Sequence, residues 1–390
     1  MQPIPNSIAA MRSDLAEWRR DFHKHPELGY HENRTAQVVA EKLRAFGLDA
    51  VETGIGRTGV VGVLHGKDGP GEAILLRADM DALPISEETG VEHASVHAGV
   101  MHACGHDGHT TMLLGAAKHL AETRNFAGTV YFCFQPAEEG GAGAKAMIDD
   151  GLFDRFPARA VYGMHNWPGM PAGAFGVRPG PVMASADEFI IRIRGEGGHA
   201  AKPHLTKDPV LAGAQIVTAL QSIVARRVNP LKPAVLSITL FQAGAACNVI
   251  PDGAIIGGTR RTFHEDVSRL IDEEMQRICD EVGRAMGVEI AIERERIPYP
   301  PTVNDPEQAA FAGDVLEGLF GADRVDRDWE PTMGGEDFAF MANEKPGAFV
   351  FIGNGDTAMV HTPRYDFNDE ISPIGVAYWA KLVETALPAS

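Results

Sequence analysis

The chain has 390 residues, 44% of them hydrophobic and 23% charged, with a formal net charge of −18. That is the composition of a globular protein long enough for a large core and more than one domain. No basic stripe offers itself to nucleic acid or an anionic membrane, and no apolar run reaches the roughly 20 residues of a bilayer span.

The start, "MQPIPNSIAAMRSDLAEWRRDF", lacks the basic opening and apolar centre of a signal peptide. Cys104, Cys133, Cys247 and Cys279 are far apart and form no CxxC pair. The expected compartment is the cytoplasm, with reduced thiols. Cys133, Cys247 and Cys279 are expected to be small buried residues.

Ile8, Met11, Leu15, Trp18 and Phe22 recur at helical spacing, so the chain should open with a helix. A second helix is expected over "TAQVVAEKLRAFGL", stopped by Gly47. "GVVGVLHG" and "EAILLRADMDALP" read as strands, and an apolar helix follows over "TTMLLGAAKHLAE". "GTVYFCFQPAEEGGAG" is a strand closed by Pro136 with two largely apolar faces, as in a buried sheet. "RAVYGMHNWPG" is another short strand. This alternation predicts an α/β layer around a central sheet.

Near residue 183 the pattern changes. "ADEFIIRIRGEGG" alternates apolar and polar residues, as a strand with one solvated face does. A helix, two strands, a long charged helix and a strand follow, giving the β-α-β-β-α-β order of a ferredoxin-like unit. After the proline-rich "IPYPPTVNDP" the α/β character returns through "GGEDFAFM", "GAFVFIGNG", "VHTPRYDFND" and a last helix. The expected organisation is a discontinuous domain of residues 1–183 and 298–390, carrying residues 184–297 as an insertion.

"MHACGHDGHTTM", residues 101–112, gathers three histidines and a cysteine. Three readings are open: a metal site, a reactive thiol flanked by bases, or a polar loop. Cys104 and His106 are two apart, and in an extended loop their side chains share a side. Glu138 and Glu139 follow a buried strand, His165 ends "VYGMH", and His361 opens "HTPRYDFND". Adjacent carboxylates point apart, so one can bind a metal while the other faces the water to be activated. Mixed Cys, His and Glu donors suit zinc, with manganese, cobalt or nickel as alternatives. Five donors exceed one tetrahedral ion and point to two. His102 and His109 are expected to cap or flank the loop.

"MHACGHDGHTTMLLGAA", "QPAEEGGAGA", "GMHNWPG", "GGHAAKPH" and "GGEDFA", in this order, resemble the hippurate hydrolase and indole-acetyl-amino-acid hydrolase group of metallo-amidohydrolases. "RRDFHKHPELGYHENRT" and "RADMDALPI" extend the likeness over nearly the whole chain. The group is related to aminoacylases and to zinc carboxypeptidases with an inserted lid.

The resemblance implies a zinc-peptidase-like α/β catalytic domain with a mixed central sheet, and an inserted α+β ferredoxin-like lid or dimerisation domain. It implies Cys104, His106, Glu139, His165 and His361 as ligands of two divalent ions, Glu138 as general base and proton donor, and His199 as oxyanion holder. Asn248 and Arg261 match positions at the substrate's carboxylate end. Arg260 stands where the usual motif is apolar, which leaves open which arginine turns inward. Asp79 and Asp81 would orient ligands. The implied substrate is a small N-acyl amino acid, and the implied assembly a homodimer or homotetramer built through the lid. Two other readings are a metal-free hydrolase using Cys104 and an inactive homologue that only binds metal or ligand.

Overall fold

The computed structural model describes residues 4–390 and divides into two compact units. One comprises residues up to 182, 303–330 and 337–390; the other comprises 183–302 and 331–336. Residues 298–302 and 331–336, expected with the first unit, cluster with the second.

The first unit is built on an eight-stranded sheet. Its four middle strands, Thr129–Gln135, Ala73–Asp79, Ala160–Pro168 and Gly347–Gly355, lie side by side and run parallel. Ala50–Ile55 and Gly59–His65 extend one edge antiparallel, so the sheet is mixed. All seven residues of Ala73–Asp79 are buried, the apolar Ala73–Leu76 as well as Arg77 and Asp79. The helix His106–Thr123 is buried along most of its length and packs against Arg12–Lys24 and Ser372–Ala386. In open α/β sheets the crevice at the carboxyl ends of the strands takes ligands. Asp79 and Gln135 end their strands in register there, and His165 lies near the end of its own.

Three elements depart from expectation. The opening helix breaks at Met11 into Asn6–Ala10 and Arg12–Lys24. Ala50–Ile55 forms a strand the pattern did not announce. Pro306–Phe320 is a helix capped by Asp305, whose side chain accepts from the amides of Glu307 and Gln308.

The second unit is a four-stranded antiparallel sheet in the order 234–243, 253–262, 187–194, 289–293. Helices Pro209–Arg226 and Glu265–Met286 cover one face, burying Phe189, Ile191, Ile193 and Ile256 among Ile216, Leu220, Ile271 and Met275. This is the ferredoxin-like arrangement. Cys247 is exposed, contrary to expectation, because it lies in the loop after the edge strand and not in the core.

Candidate metal centre

Cys104 and His106 do not share an extended loop. Gly105 stands between them at φ 94°, and His106 opens the helix. A Cβ at Gly105 would lie 2.1 Å from the Asn166 side-chain oxygen and 2.4 Å from the Tyr365 hydroxyl, so only glycine fits the turn. The turn brings donor atoms of Cys104, His106 and His165 within 4.8 Å of one another. Donor atoms of Cys104, Glu139 and His361 form a second such triple, and those of His106, Glu138 and Glu139 a third.

Each donor is aimed by a partner. His165 Nδ1 lies 2.6 Å from the Asn166 carbonyl, and its Nε2 faces Cys104 Sγ at 3.3 Å. Donation from Nδ1 leaves Nε2 as the free lone pair. Asp81 sits 3.2 Å from His106 Nδ1 and accepts the Glu139 amide at 2.9 Å, joining two candidate ligands through one carboxylate. Glu138–Gly141 is a single turn broken at Glu139 and Gly140. Glu138 is buried and accepts from the Asp337 amide at 3.4 Å. His361 is half exposed at φ 62°, its amide bound to the Ala103 carbonyl and its Nε2 3.1 Å from Glu139 Oε1.

The electrostatics ask for a cation. Burial opposes protonation of His106, yet the carboxylates of Asp79, Asp81 and Glu139 hold its pKa up at about 10. Burial and the charges of Glu139, Glu138 and Asp79 push the Cys104 thiol well up. Burial and the charges of His109 and His106 hold His165 down as a neutral imidazole. His106 Nε2 is buried without a hydrogen-bond partner. An orphaned nitrogen ringed by a thiol and carboxylates fits a divalent ion of borderline softness.

Several residues at this site had no advance signal. His109, expected to flank the loop, is buried and joins Asp79 at 2.6 Å to Asn166 at 2.7 Å. Tyr365 accepts from Asn166 at 2.7 Å. Arg77, wholly buried, donates to Asp79 at 2.7 Å, Gln135 at 2.8 Å and Asp337 at 3.1 Å. Asp79 therefore orients His109 directly and lies 3.7 Å from His106 Nε2.

His199, Asn248 and Arg261 belong to the second unit. His199 is exposed on the two-residue strand Gly198–His199, which pairs with Val249–Ile250. Exposed Asn248 precedes that partner strand, and its carbonyl accepts the Ala200 amide. Arg260 is buried on the helix-covered face and held by Asp187 at 2.7 Å, the Ser268 carbonyl at 2.9 Å and Asp272 at 3.0 Å. Arg261 turns to the other face, beside a cavity of about 400 Å³ that Glu188, Ile190, Thr259, Glu295 and Arg296 also line. Among the described residues no carboxylate lies within ion-pair distance of Arg261.

Residues 75–385 match the model of peptidase family M20/M25/M40. The chain is 43% identical over 382 residues to hippurate hydrolase of Campylobacter jejuni, covering 98% of both chains. It is 40% identical over 380 residues to N-acetylcysteine deacetylase of Bacillus subtilis, covering 97% of this chain and 98% of that one. The crystal structure of the Bacillus subtilis YXEP protein, described as a dinuclear metal binding peptidase of the M20 family, matches with a TM-score of 0.83 at 36% identity. That match covers 97% of this chain and 99% of the other. The chain belongs to peptidase family M20/M25/M40.

Proposed function

We propose that the chain is a two-metal amidohydrolase that cleaves the amide bond of N-acyl amino acids, releasing a carboxylic acid and a free amino acid. One observation carries the reading. Donor atoms of Cys104, His106, His165, Glu139 and His361 come together from four separate segments in overlapping triples, beside a buried His106 nitrogen that has no hydrogen-bond partner. These five are the proposed ligands, zinc being the first choice of ion, and Asp79 and Asp81 orient the shell. Divalent ions held there would supply Lewis acidity, activating a water and the substrate carbonyl near neutral pH.

Glu138 takes a proton from the attacking water as the oxygen–carbon bond forms. It returns that proton to the nitrogen as the carbon–nitrogen bond breaks. His199, from the inserted unit of this subunit or a second one, steadies the developing oxyanion. Arg261, a half-buried guanidinium with no carboxylate partner, and Asn248 receive the free α-carboxylate. Arg260 is already committed to Asp187 and Asp272 and is not available for that role. A metal-free Cys104 nucleophile needs a thiolate, whereas burial and the surrounding carboxylates push the thiol's pKa well up. A binding-only homologue has no use for a base poised as Glu138 is.

The inserted unit is proposed as lid and dimerisation domain of a homodimer or homotetramer. Strand Ala234–Ala243 is an edge strand with Phe241 43% exposed. The exposed side of helix Pro209–Arg226 presents Val210, Leu211, Ala214, Thr218 and Ser222, with Arg226 as its one charge at the C-terminal end. Such an edge is a template for pairing with another chain. The free cysteines fit a reducing compartment, as in the cytoplasm. No helix among the described residues is long and apolar enough to cross a membrane.

The test is hydrolysis of N-acetyl, N-benzoyl and N-indoleacetyl amino acids after chelation and after restoring zinc, manganese, cobalt or nickel. Activity should vanish with the chelator and return with one ion. Protein with measured bound metal that cleaves none of the panel sinks the proposal.

A further inference from the structure

Glu32 lies far from Glu138 in the chain and is wholly buried. One carboxylate oxygen accepts the Ala137 amide at 2.8 Å, and the other accepts the Thr58 hydroxyl at 2.6 Å. Ala137 sits at φ 50°, ψ 46°, the left-handed region that a residue with a Cβ enters at a cost. Immediately beyond it come Glu138 and Glu139. Tyr30, itself at φ 64°, donates its hydroxyl to the Gly141 carbonyl at 2.6 Å, closing the far end of the same turn. The Arg57 guanidinium lies 4.1 Å over the Tyr30 ring and holds it in place. A Cβ on Gly29 would come within 3.1 Å of Ala137, so the segment carrying Tyr30 and Glu32 lies directly against the turn. Asp81, beside the same segment, holds the Glu139 amide.

We propose that Glu32 and Tyr30 are positioning residues for Glu138, holding the strained Ala137–Gly141 turn so that its carboxylate meets the attacking water. The inference rests on Glu138 being the base. Glu32 is in none of the groups of metal-donor atoms, and the Tyr30 hydroxyl is engaged by the Gly141 carbonyl. What matters is the acceptor on the Ala137 amide, because misplacing a reacting group by a fraction of an ångström is costly while binding is little changed. Burial and the nearby charge of Asp81 push the Glu32 carboxyl up to about 7, so a neutral acceptor of the same shape should serve in its place.

The experiment compares Glu32→Ala, Glu32→Gln and Tyr30→Phe by steady-state kinetics, metal content and amide hydrogen exchange of the peptide spanning residues 133–142 in metal-free protein. Glu32→Ala should exchange faster at Ala137 and lose about 10- to 100-fold in kcat, with KM within about threefold and metal content unchanged. Glu32→Gln should recover most of both losses. Tyr30→Phe, which keeps the buried carboxylate, should lower kcat by about 3- to 10-fold and serves if Glu32→Ala does not fold. Wild-type kcat in Glu32→Ala or in Tyr30→Phe overturns the proposal. So does Glu32→Gln as impaired as Glu32→Ala, or kcat loss that tracks metal loss. A fully active Glu138→Gln overturns the base assignment and this proposal with it, whereas an inactive Glu138→Gln beside wild-type kcat in the Glu32 and Tyr30 variants overturns the proposal alone.

Discussion

His106 and Asp107 are neighbours in the chain but serve two different clusters of buried charge. On the His106 side, a thiol and four carboxylates surround histidines, and an imidazole nitrogen is left without a partner. On the Asp107 side, His23 lies 2.8 Å from Asp107 and 3.3 Å from Glu87. There Arg19 reaches Asp369 at 2.6 Å, Asp366 at 3.2 Å and His93 at 3.1 Å. Among the described residues the second cluster has no three donors within metal-binding reach, although His102 beside it has two unpartnered ring nitrogens. Both regions are dense in buried charge, so charge density does not mark a site. The difference is compensation: one cluster is answered by Arg19 and His23 and ties helix Arg12–Lys24 to the chain's end, while the other, beyond Arg77 on Asp79, keeps a thiol, carboxylates and one imidazole nitrogen without a hydrogen bond, a set that suits a cation from outside.

The sharpest way to break this contrast is at the base. Glu138→Gln should lower kcat by about 10²- to 10⁴-fold with metal content unchanged, as measured by steady-state kinetics beside elemental analysis. A fully active variant would show that the assigned base is wrong. Next in size is stability. Asp107→Ala leaves His23 and Arg19 short of a buried partner and should cost about 3–5 kcal/mol in urea unfolding of metal-free protein. Cys104→Ala should abolish metal binding and activity while changing that unfolding free energy by no more than about 1 kcal/mol. Equal destabilisation by the two would erase the distinction.

The paired cluster also predicts a pH dependence. Burial opposes the charge on His23, but Asp107 and Glu87 hold its pKa up at about 9. Its stabilisation is therefore complete below the unfolded value near 6.5 and is lost as pH rises through about 9. The loss should approach about 3 kcal/mol for metal-free protein, and His23→Gln should flatten that part of the profile. A wild-type slope retained in His23→Gln would assign the effect elsewhere.

The smallest effect separates two arginines. Arg261→Ala should raise KM by about 10-fold or more with kcat little changed, as loss of a charge-assisted contact to a carboxylate does. Arg260→Ala should instead lower the melting temperature of the protein, because Asp187 and Asp272 each lose a buried guanidinium and keep Arg294 alone. Unchanged KM in Arg261→Ala would move the carboxylate contact to another residue.

The alternation of a strand separates these arginines, and it explains what could be read beforehand. "TRRT" offers two equivalent cations, and only the sheet shows that residue 260 turns toward the helices and residue 261 away. The ligand candidates Cys104, His106, Glu138, Glu139, His165 and His361 were legible because few side-chain types bind metal and these stand at strand ends beside glycines. The ferredoxin-like order of the insertion was legible from period and element length. Helix Pro306–Phe320 carries an Asp-Pro cap in its sequence, but the proline-rich stretch before it reads as a linker. Glu32, Arg77, Asp337 and His23 carried no such signal, since an isolated buried charge reads like a surface one until its partner is known.

In the sequence alone, the resemblance of its motifs pointed to the family and the kind of site, and hydrophobic period pointed to the two-part architecture, because motif and period are local properties. Only the tertiary structure decided which groups support the ligands. Glu32 meets Ala137 across 105 positions, and Arg77 meets Asp337 across 260. Buried polar groups must find partners wherever the fold places them, and that placement depends on the packing of the whole unit and not on any stretch of chain.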